Sequence, residues 1–249
     1  MINIKSASDI AKMKTAGRIT GEALKLAGES IVPGMTTKEL DAIIHDYIVS
    51  QGAVPSFLGY GGFPASACIS INNEVIHGIP GKKKIREGDI VSVDVGAFID
   101  GFHGDSAKTF AVGKITKDDE ELLRVTEESL YKGIEKAIAG NRIGDISAAI
   151  EEHVRKFGFG IVKDYTGHGI GRRLHEEPEV HNYGKAGHGP RLVPGMVIAI
   201  EPMINFKGDG VRVLSDGWTV LTKSGSSSAH FEHTVAITSD KPILLTKVD

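Results

Sequence analysis

Apolar residues in the first 50 positions recur with a helical period: Ile10, Met13, Ala16, Ile19 and Ala23 fall every three or four places and predict an opening amphipathic helix. A second helix starts near Thr36. Thr36 followed by Glu39 has the spacing of a capping box, in which each side chain satisfies a backbone amide left free at a helix start. Leu40, Ile43, Ile44 and Tyr47 supply its buried face. Two more helices are predicted at 117–139 and 144–157; Thr116 with Asp119 caps the first, and Ile146, Ile150 and Val154 form the apolar stripe of the second.

Elsewhere the period falls to two, as in a strand. Residues 90–99 put Val91, Val93 and Val95 on one face and Ser92, Asp94 and Gly96 on the other. Residues 197–201 set Ile198 and Ile200 against Val197, Ala199 and Glu201. Each acid thus points away from the more strongly apolar set.

These two strands belong to a weak internal echo. Gly88 precedes Asp94 by six positions and Gly195 precedes Glu201 by six, while Gly34 precedes Glu39 by five and Gly140 precedes Asp145 by five. The helix starts are offset by 106 residues and the strands by 107. The echo predicts two similar halves, roughly 1–110 and 111–249, within one domain, each bringing a carboxylate to a shared cleft.

Composition narrows the class. At 249 residues, 41% hydrophobic and 24% charged, the chain can bury a substantial core. A net charge of -3 offers no broad attraction to nucleic acid or an anionic membrane, and the Lys82, Lys83, Lys84 run reads as solvated loop charge. Cys68 is the only cysteine, which precludes an intrachain disulfide and a thiolate metal cluster and favours a reducing compartment. Charges at Lys5, Asp9, Lys12 and Lys14 interrupt the stretch where a secretory signal would be apolar, and no segment reaches a membrane-spanning length. The expected location is the cytoplasm.

The candidate chemistry lies in five segments: Val93-Asp94-Val95-Gly96, Gly104-Asp105-Ser106-Ala107, Thr166-Gly167-His168-Gly169-Ile170-Gly171, Ala199-Ile200-Glu201-Pro202-Met203 and Phe231-Glu232-His233-Thr234. A carboxylate among apolar strands is expensive to bury unless it is paired, protonated or bound to metal. Each acid taken alone fits a strand-end salt bridge equally well. Taken jointly, four carboxylates and one imidazole suit a dinuclear site, where anionic oxygens offset the repulsion of two divalent ions and a bound water becomes acidic enough to act near neutral pH. The donor set is compatible with manganese, iron, cobalt or zinc and does not choose among them.

These segments, together with Ile31-Val32-Pro33-Gly34-Met35-Thr36-Thr37 and the stretch from Cys68 through Ile76-His77-Gly78-Ile79-Pro80, resemble the bacterial type I methionine aminopeptidase family over nearly the whole chain. The resemblance implies the α+β pita-bread, or creatinase-like, fold with two pseudo-symmetric halves. It also implies removal of N-terminal methionine from nascent proteins and peptides, preferentially before a small second residue, by metal-activated water attack on the peptide carbonyl. By position, Asp94 corresponds to a terminal chelator of one ion, Asp105 and Glu232 to bridging carboxylates, and His168 and Glu201 to the remaining ligands of the second. Glu201 also matches the proton carrier, His77 a substrate-contacting histidine, and His175 a histidine directed at the peptide carbonyl.

Phe57, Tyr60, Phe63, Cys68, Leu174 and Trp218 are the implied methionine pocket, although Cys68 fits a core position equally well. In the Thr166-to-Gly171 segment the glycines are expected to let the backbone approach the metal-bearing cleft. Phe57, Phe63 and Leu174 depart from residues found in some relatives, and His230 replaces a glutamine common in the family, in the surroundings of Glu232. Two alternatives stay open: a related dinuclear aminopeptidase or prolidase-like hydrolase with another terminal preference, and a noncatalytic binding module on the same fold. The family also suggests work close to the ribosome, and the short chain suggests a monomer.

Overall fold

The computed structural model describes residues 1–248. Its first helix, α1 (Ala7–Ser30), is opened by a Ser6–Asp9 capping box, and α2 (Thr37–Ser50) by the Thr36–Glu39 box. In α1 the predicted stripe is buried at Met13, Ala16, Ile19 and Ala23, with Ile10 at its edge. The buried line of α2 is Leu40, Ile44 and Ile48; Ile43 and Tyr47, placed there by the sequence, are only half-buried. A period of 3.6 makes every fourth residue drift slowly around the helix, so the fully covered line is narrower than the apolar stripe.

Helix α3 (Lys117–Ile134) starts at the Thr116 cap but stops short of the expected residue 139. Beyond Ile134 the amides of Lys136 and Ala137 bond three residues back, to Gly133 and Ile134. This tighter turn keeps Ala137 buried, which is why the apolar pattern outruns the helix. Helix α4 (Ile143–Arg155) buries Ile146, Ile150 and Val154 as predicted.

The strands form antiparallel sheets on which the helices pack. In the N-terminal sheet, Ile90–Ile99 is flanked by Val54–Pro55 and Ala67–Ile71 on one side and by Phe102–Ala111 on the other. In the C-terminal sheet the order is Ile243–Leu244, His233–Ala236, Val197–Ile200, Gly167–Gly169, Glu176–Val180. One apolar cluster joins α1 and α2 to the first sheet, and another joins α3 and α4 to the second.

The sequence echo is realised atom by atom. Gly34 and Gly140 have φ of 96° and 98°, and Gly88 and Gly195 have φ of 87° and 91°, a region that favours glycine. Gly34 donates to the Ile85 carbonyl as Gly140 does to Leu192, at 2.8 and 2.9 Å. Glu39 accepts from the Thr36 amide as Asp145 does from Arg142, each at 2.7 Å. The offsets of 106 and 107 residues are therefore those of two copies of one helix-turn-strand unit.

Asp209 ties the end of α4 to the segment that follows it, Ile161 to Lys163. It accepts from Arg155 Nη1 and Nη2 at 3.1 Å, from the Ile161 amide at 3.0 Å and from Lys163 Nζ at 3.0 Å. The Arg155 hydrogen bonds, above all, hold its carboxyl well below the usual range. A depressed folded pKa stabilises above the unfolded value, near 4, and the contribution fades as pH falls below it. Because the group is 30% exposed, Asp209→Asn should cost only about 1–2 kcal/mol at pH 7. Urea titrations of both proteins should show this gap narrowing below pH 4; a gap that widens with acid would contradict the assignment.

Candidate metal centre and pocket

The hairpin of the first sheet aligns two acids. Asp100 and Gly101, with φ of 53° and 83°, make a two-residue turn between the paired residues Ile99 and Phe102. Such a turn requires positive φ at both positions, and the Asp-Gly dipeptide is its local signature. The resulting register sets Asp94 opposite Ala107 and Asp105 opposite Gly96, so both carboxylates lie on one face although they are eleven residues apart.

The second sheet supplies the other acids. Glu201 directly follows the Val197–Ile200 strand and Glu232 directly precedes His233–Ala236; His233 pairs with Ile200, which places the two glutamates across from one another. The sheets are stitched at this point. Glu232 donates its amide to the Ala107 carbonyl at 2.8 Å, Ser106 Oγ donates to the Glu232 carbonyl at 2.7 Å, and Thr234 Oγ1 donates to the Asp105 carbonyl at 2.7 Å.

Asp105, His168 and Glu232 offer ligand atoms that all lie within 4.8 Å of one another, and all three residues are buried. His168 Nε2 is 3.7 Å from Asp105 Oδ2 and 3.5 Å from Glu201 Oε1. Its Nδ1 lies 2.9 Å from the Gly169 carbonyl, which fixes that proton and leaves a lone pair on Nε2. Asp94 Oδ1, Asp105 Oδ1 and Glu232 Oε1 are buried and meet no hydrogen-bond donor. Burial pushes all four carboxyls up, Asp94 to about 7 and Glu201 to about 8, with the neighbouring acids adding to the rise at Asp105 and Glu232. Burial likewise lowers His168 to about 3, keeping it neutral. Buried carboxyl oxygens without donors, facing a neutral imidazole lone pair, make a donor set that fits divalent cations.

A cavity of about 310 Å³ opens on this cluster. Asp94, Asp105, His168, Glu201 and Glu232 line it, as do His77, His175 and all six predicted pocket residues. Phe57, Phe63, Cys68 and Leu174 are buried and form its apolar end, while Tyr60, 45% exposed, stands at the mouth. Trp218 packs edge-on against Phe63 and His77. The Asp216 carboxylate holds it there by accepting from the Trp218 and Thr219 amides, each at 2.9 Å. Ile76, Tyr165 and Thr166 also line the cavity. They escaped the sequence reading although Tyr165-Thr166 directly precedes the His168 motif and Ile76 adjoins His77.

Both remaining histidines are held. His77 adopts a left-handed backbone with φ of 58°, uncommon for a side chain of this size, and burial lowers its pKa to about 4. His175 Nδ1 shares a 2.6 Å hydrogen bond with the Tyr60 hydroxyl, and its ring lies 4.2 Å from that of His168. The turn carrying Leu174 and His175 is anchored by Glu176. That carboxylate accepts from Lys5 Nζ at 2.8 Å, from Asn3 Nδ2 at 3.1 Å and from the Arg173 amide at 3.2 Å.

Two expectations need correction. The glycines beside His168, expected to let the backbone approach the metal-bearing cleft, let it approach the neighbouring strands: a Cβ at Gly167 would lie 2.4 Å from the Ala199 carbonyl oxygen, and one at Gly169 would lie 2.1 Å from that of Glu177. His230 approaches Glu201 and not Glu232, with Nε2 3.6 Å from Glu201 Oε2. Alternation in an unbroken strand would put residues 230 and 232 on one face, but Ser228–His230 ends at His230 and the next strand begins only at His233, so the two side chains part.

Comparison with known proteins agrees with this geometry. Residues 11–239 match the description of metallopeptidase family M24. A methionine aminopeptidase of Clostridium perfringens is 53% identical over 248 residues, covering 100% of both chains. The crystal structure of a methionine aminopeptidase from Thermotoga maritima superposes with a TM-score of 0.98 at 46% identity, covering 100% of both chains. That from Rickettsia prowazekii gives a TM-score of 0.98 at 41% identity, covering 99% of this chain and 100% of the other. The pita-bread fold and the buried metal-ligand cluster thus belong to a chain that is a member of metallopeptidase family M24, within its methionine aminopeptidases.

Proposed function

We infer that this protein is a metal-dependent aminopeptidase that removes methionine from the free N-terminus of nascent proteins and peptides, preferentially before a small second residue. The observation that carries this reading is the meeting of one donor cluster and one apolar pocket in a single cavity. Asp94, Asp105, His168, Glu201 and Glu232 would hold two divalent ions, manganese, iron, cobalt or zinc. Such ions supply Lewis acidity for the peptide carbonyl and acidify water toward neutral pH.

The chain's own residues do the rest. Phe57, Phe63, Cys68, Leu174 and Trp218 receive an unbranched thioether by packing, without an ionic anchor. Tyr60 holds His175 toward the scissile carbonyl, where an imidazole N–H stabilises developing negative charge. His77, neutral because it is buried, offers a second uncharged contact to the substrate. Glu201, whose Oε1 lies 3.5 Å from His168 Nε2 within the donor cluster, carries the proton to the leaving amine.

We place this activity in one catalytic domain with halves 1–110 and 111–249, in a monomer working in the cytoplasm near the ribosome. No helix of the described residues is long and apolar enough to cross a membrane. The test is turnover of a panel of unblocked peptides differing only at residue one, after chelation and separate readdition of manganese, iron, cobalt and zinc. Methionyl peptides should be cleaved only in the presence of metal. Removal of alanine or proline without removal of methionine would sink the assignment, and folded protein that binds two ions without turnover would favour a binding module.

A further inference from the structure

His230 is fully buried, and neither of its ring nitrogens has a hydrogen-bond partner. An imidazole rarely occupies such a position without a purpose, because an unpaired buried polar group is costly. Its backbone is fixed: the amide donates to Thr109 Oγ1 at 2.8 Å, the carbonyl accepts from the same hydroxyl at 3.0 Å, and the residue pairs with Met203 in the ladder.

The ring faces Glu201. His230 Nε2 lies 3.6 Å from Glu201 Oε2, while His168 Nε2 lies 3.5 Å from Oε1, so each oxygen of the carboxylate meets one imidazole. The two rings are not equivalent. His168 has its Nδ1 proton taken up by the Gly169 carbonyl and turns a lone pair toward Glu201. Nothing accepts a proton at His230 Nδ1, so the oxygen facing Nε2 decides the tautomer.

We propose that His230 is a positioning residue that donates its Nε2 proton to Glu201 Oε2, orienting the carboxylate so that Oε1 is presented, beside His168 Nε2, to a bound ion. The proposal rests on the reading of Glu201 as a metal ligand. It requires Glu201 to close the present gap by about half an ångström, to a formed hydrogen bond.

The experiment is calorimetric titration of manganese into chelated wild type, His230→Gln and His230→Leu, with thermal unfolding of each metal-free form. The leucine variant should bind manganese about 10–100-fold more weakly, the usual effect of losing a residue that orients a ligand. Its metal-free form should unfold at or above the wild-type temperature, because an apolar side chain replaces an unpaired imidazole. His230→Gln, whose amide also donates, should regain most of the affinity. Unchanged affinity in His230→Leu, or equal weakness in the glutamine variant, overturns the proposal. If His230→Leu does not fold, His230→Met makes the same comparison. Wild type that binds no manganese would overturn the ligand reading itself, and the proposal with it.

Discussion

Stripped of divalent ions, the protein is expected to lose stability as pH rises from about 5 to about 8, and bound metal should abolish the loss. The folded carboxyls of Asp94 and Glu201 sit at about 7 and about 8, raised by burial, and those of Asp105 and Glu232 are raised as well. A folded pKa above the unfolded value, near 4, stabilises fully at acid pH, and the contribution disappears as pH climbs through the folded value. Metal reverses the sign because its ligands bind in their deprotonated forms. An ion present at a thousand times its Kd adds about 4 kcal/mol.

Asp105→Asn separates these effects. It removes one of the clustered acids, so the metal-free variant should be more stable than wild type at pH 8 and nearly equal to it at pH 5. Its methionyl-peptide turnover should nonetheless fall on the order of 10³-fold, since a missing anionic ligand weakens the charge stabilisation on which the reaction depends. Urea titrations at both pH values with and without manganese, beside peptide assays, check both halves. A metal-free wild type whose advantage over Asp105→Asn grows with pH would refute the account.

Breaking the Lys5–Glu176 pair should have a large effect on stability. Both side chains are buried, 5% and 2% exposed, and Glu176 accepts from Lys5, Asn3 and the Arg173 amide. Lys5→Met leaves that carboxylate without its cation, which costs about 3–5 kcal/mol, or roughly 10 °C in a domain of this size. Replacing both partners in Lys5→Met/Glu176→Gln should recover part of the loss, because no buried charge is then stranded. Turnover should stay low in the double variant, since the turn that presents Leu174 and His175 loses its anchor. Strictly additive losses across the double-mutant cycle would show that the two residues act independently.

Where sequence reading succeeded, the forces were local. The caps at Thr36 and Thr116 each involve a partner three residues away, and the structure forms both. Gly34, Gly88, Gly140 and Gly195 mark turns whose backbone conformation disfavours other residues, which is why a four-glycine echo disclosed two halves. Asp100-Gly101 is as local a signal, but the sequence reading passed over it; the structure shows it as the hairpin turn whose register puts Asp94 and Asp105 on one face. The Lys5–Glu176 pair carried no such signal, because 171 residues separate its members.

By itself, then, the sequence determined the helices and their caps, the alternation that turns Asp94 away from its valines, and the donor types able to hold a divalent ion. The tertiary structure decided which atoms converge. Glu201 and Glu232 meet because Ile200 pairs with His233. The glycines beside His168 fit under neighbouring carbonyls, and His230 turns to Glu201 instead of Glu232. The division follows the range of the forces. Capping and turn preference act over a few bonds, whereas pairing and side-chain direction between separate segments are set by burial across longer stretches of chain, 33 residues for Ile200 and His233 and 129 for Asp105 and Thr234.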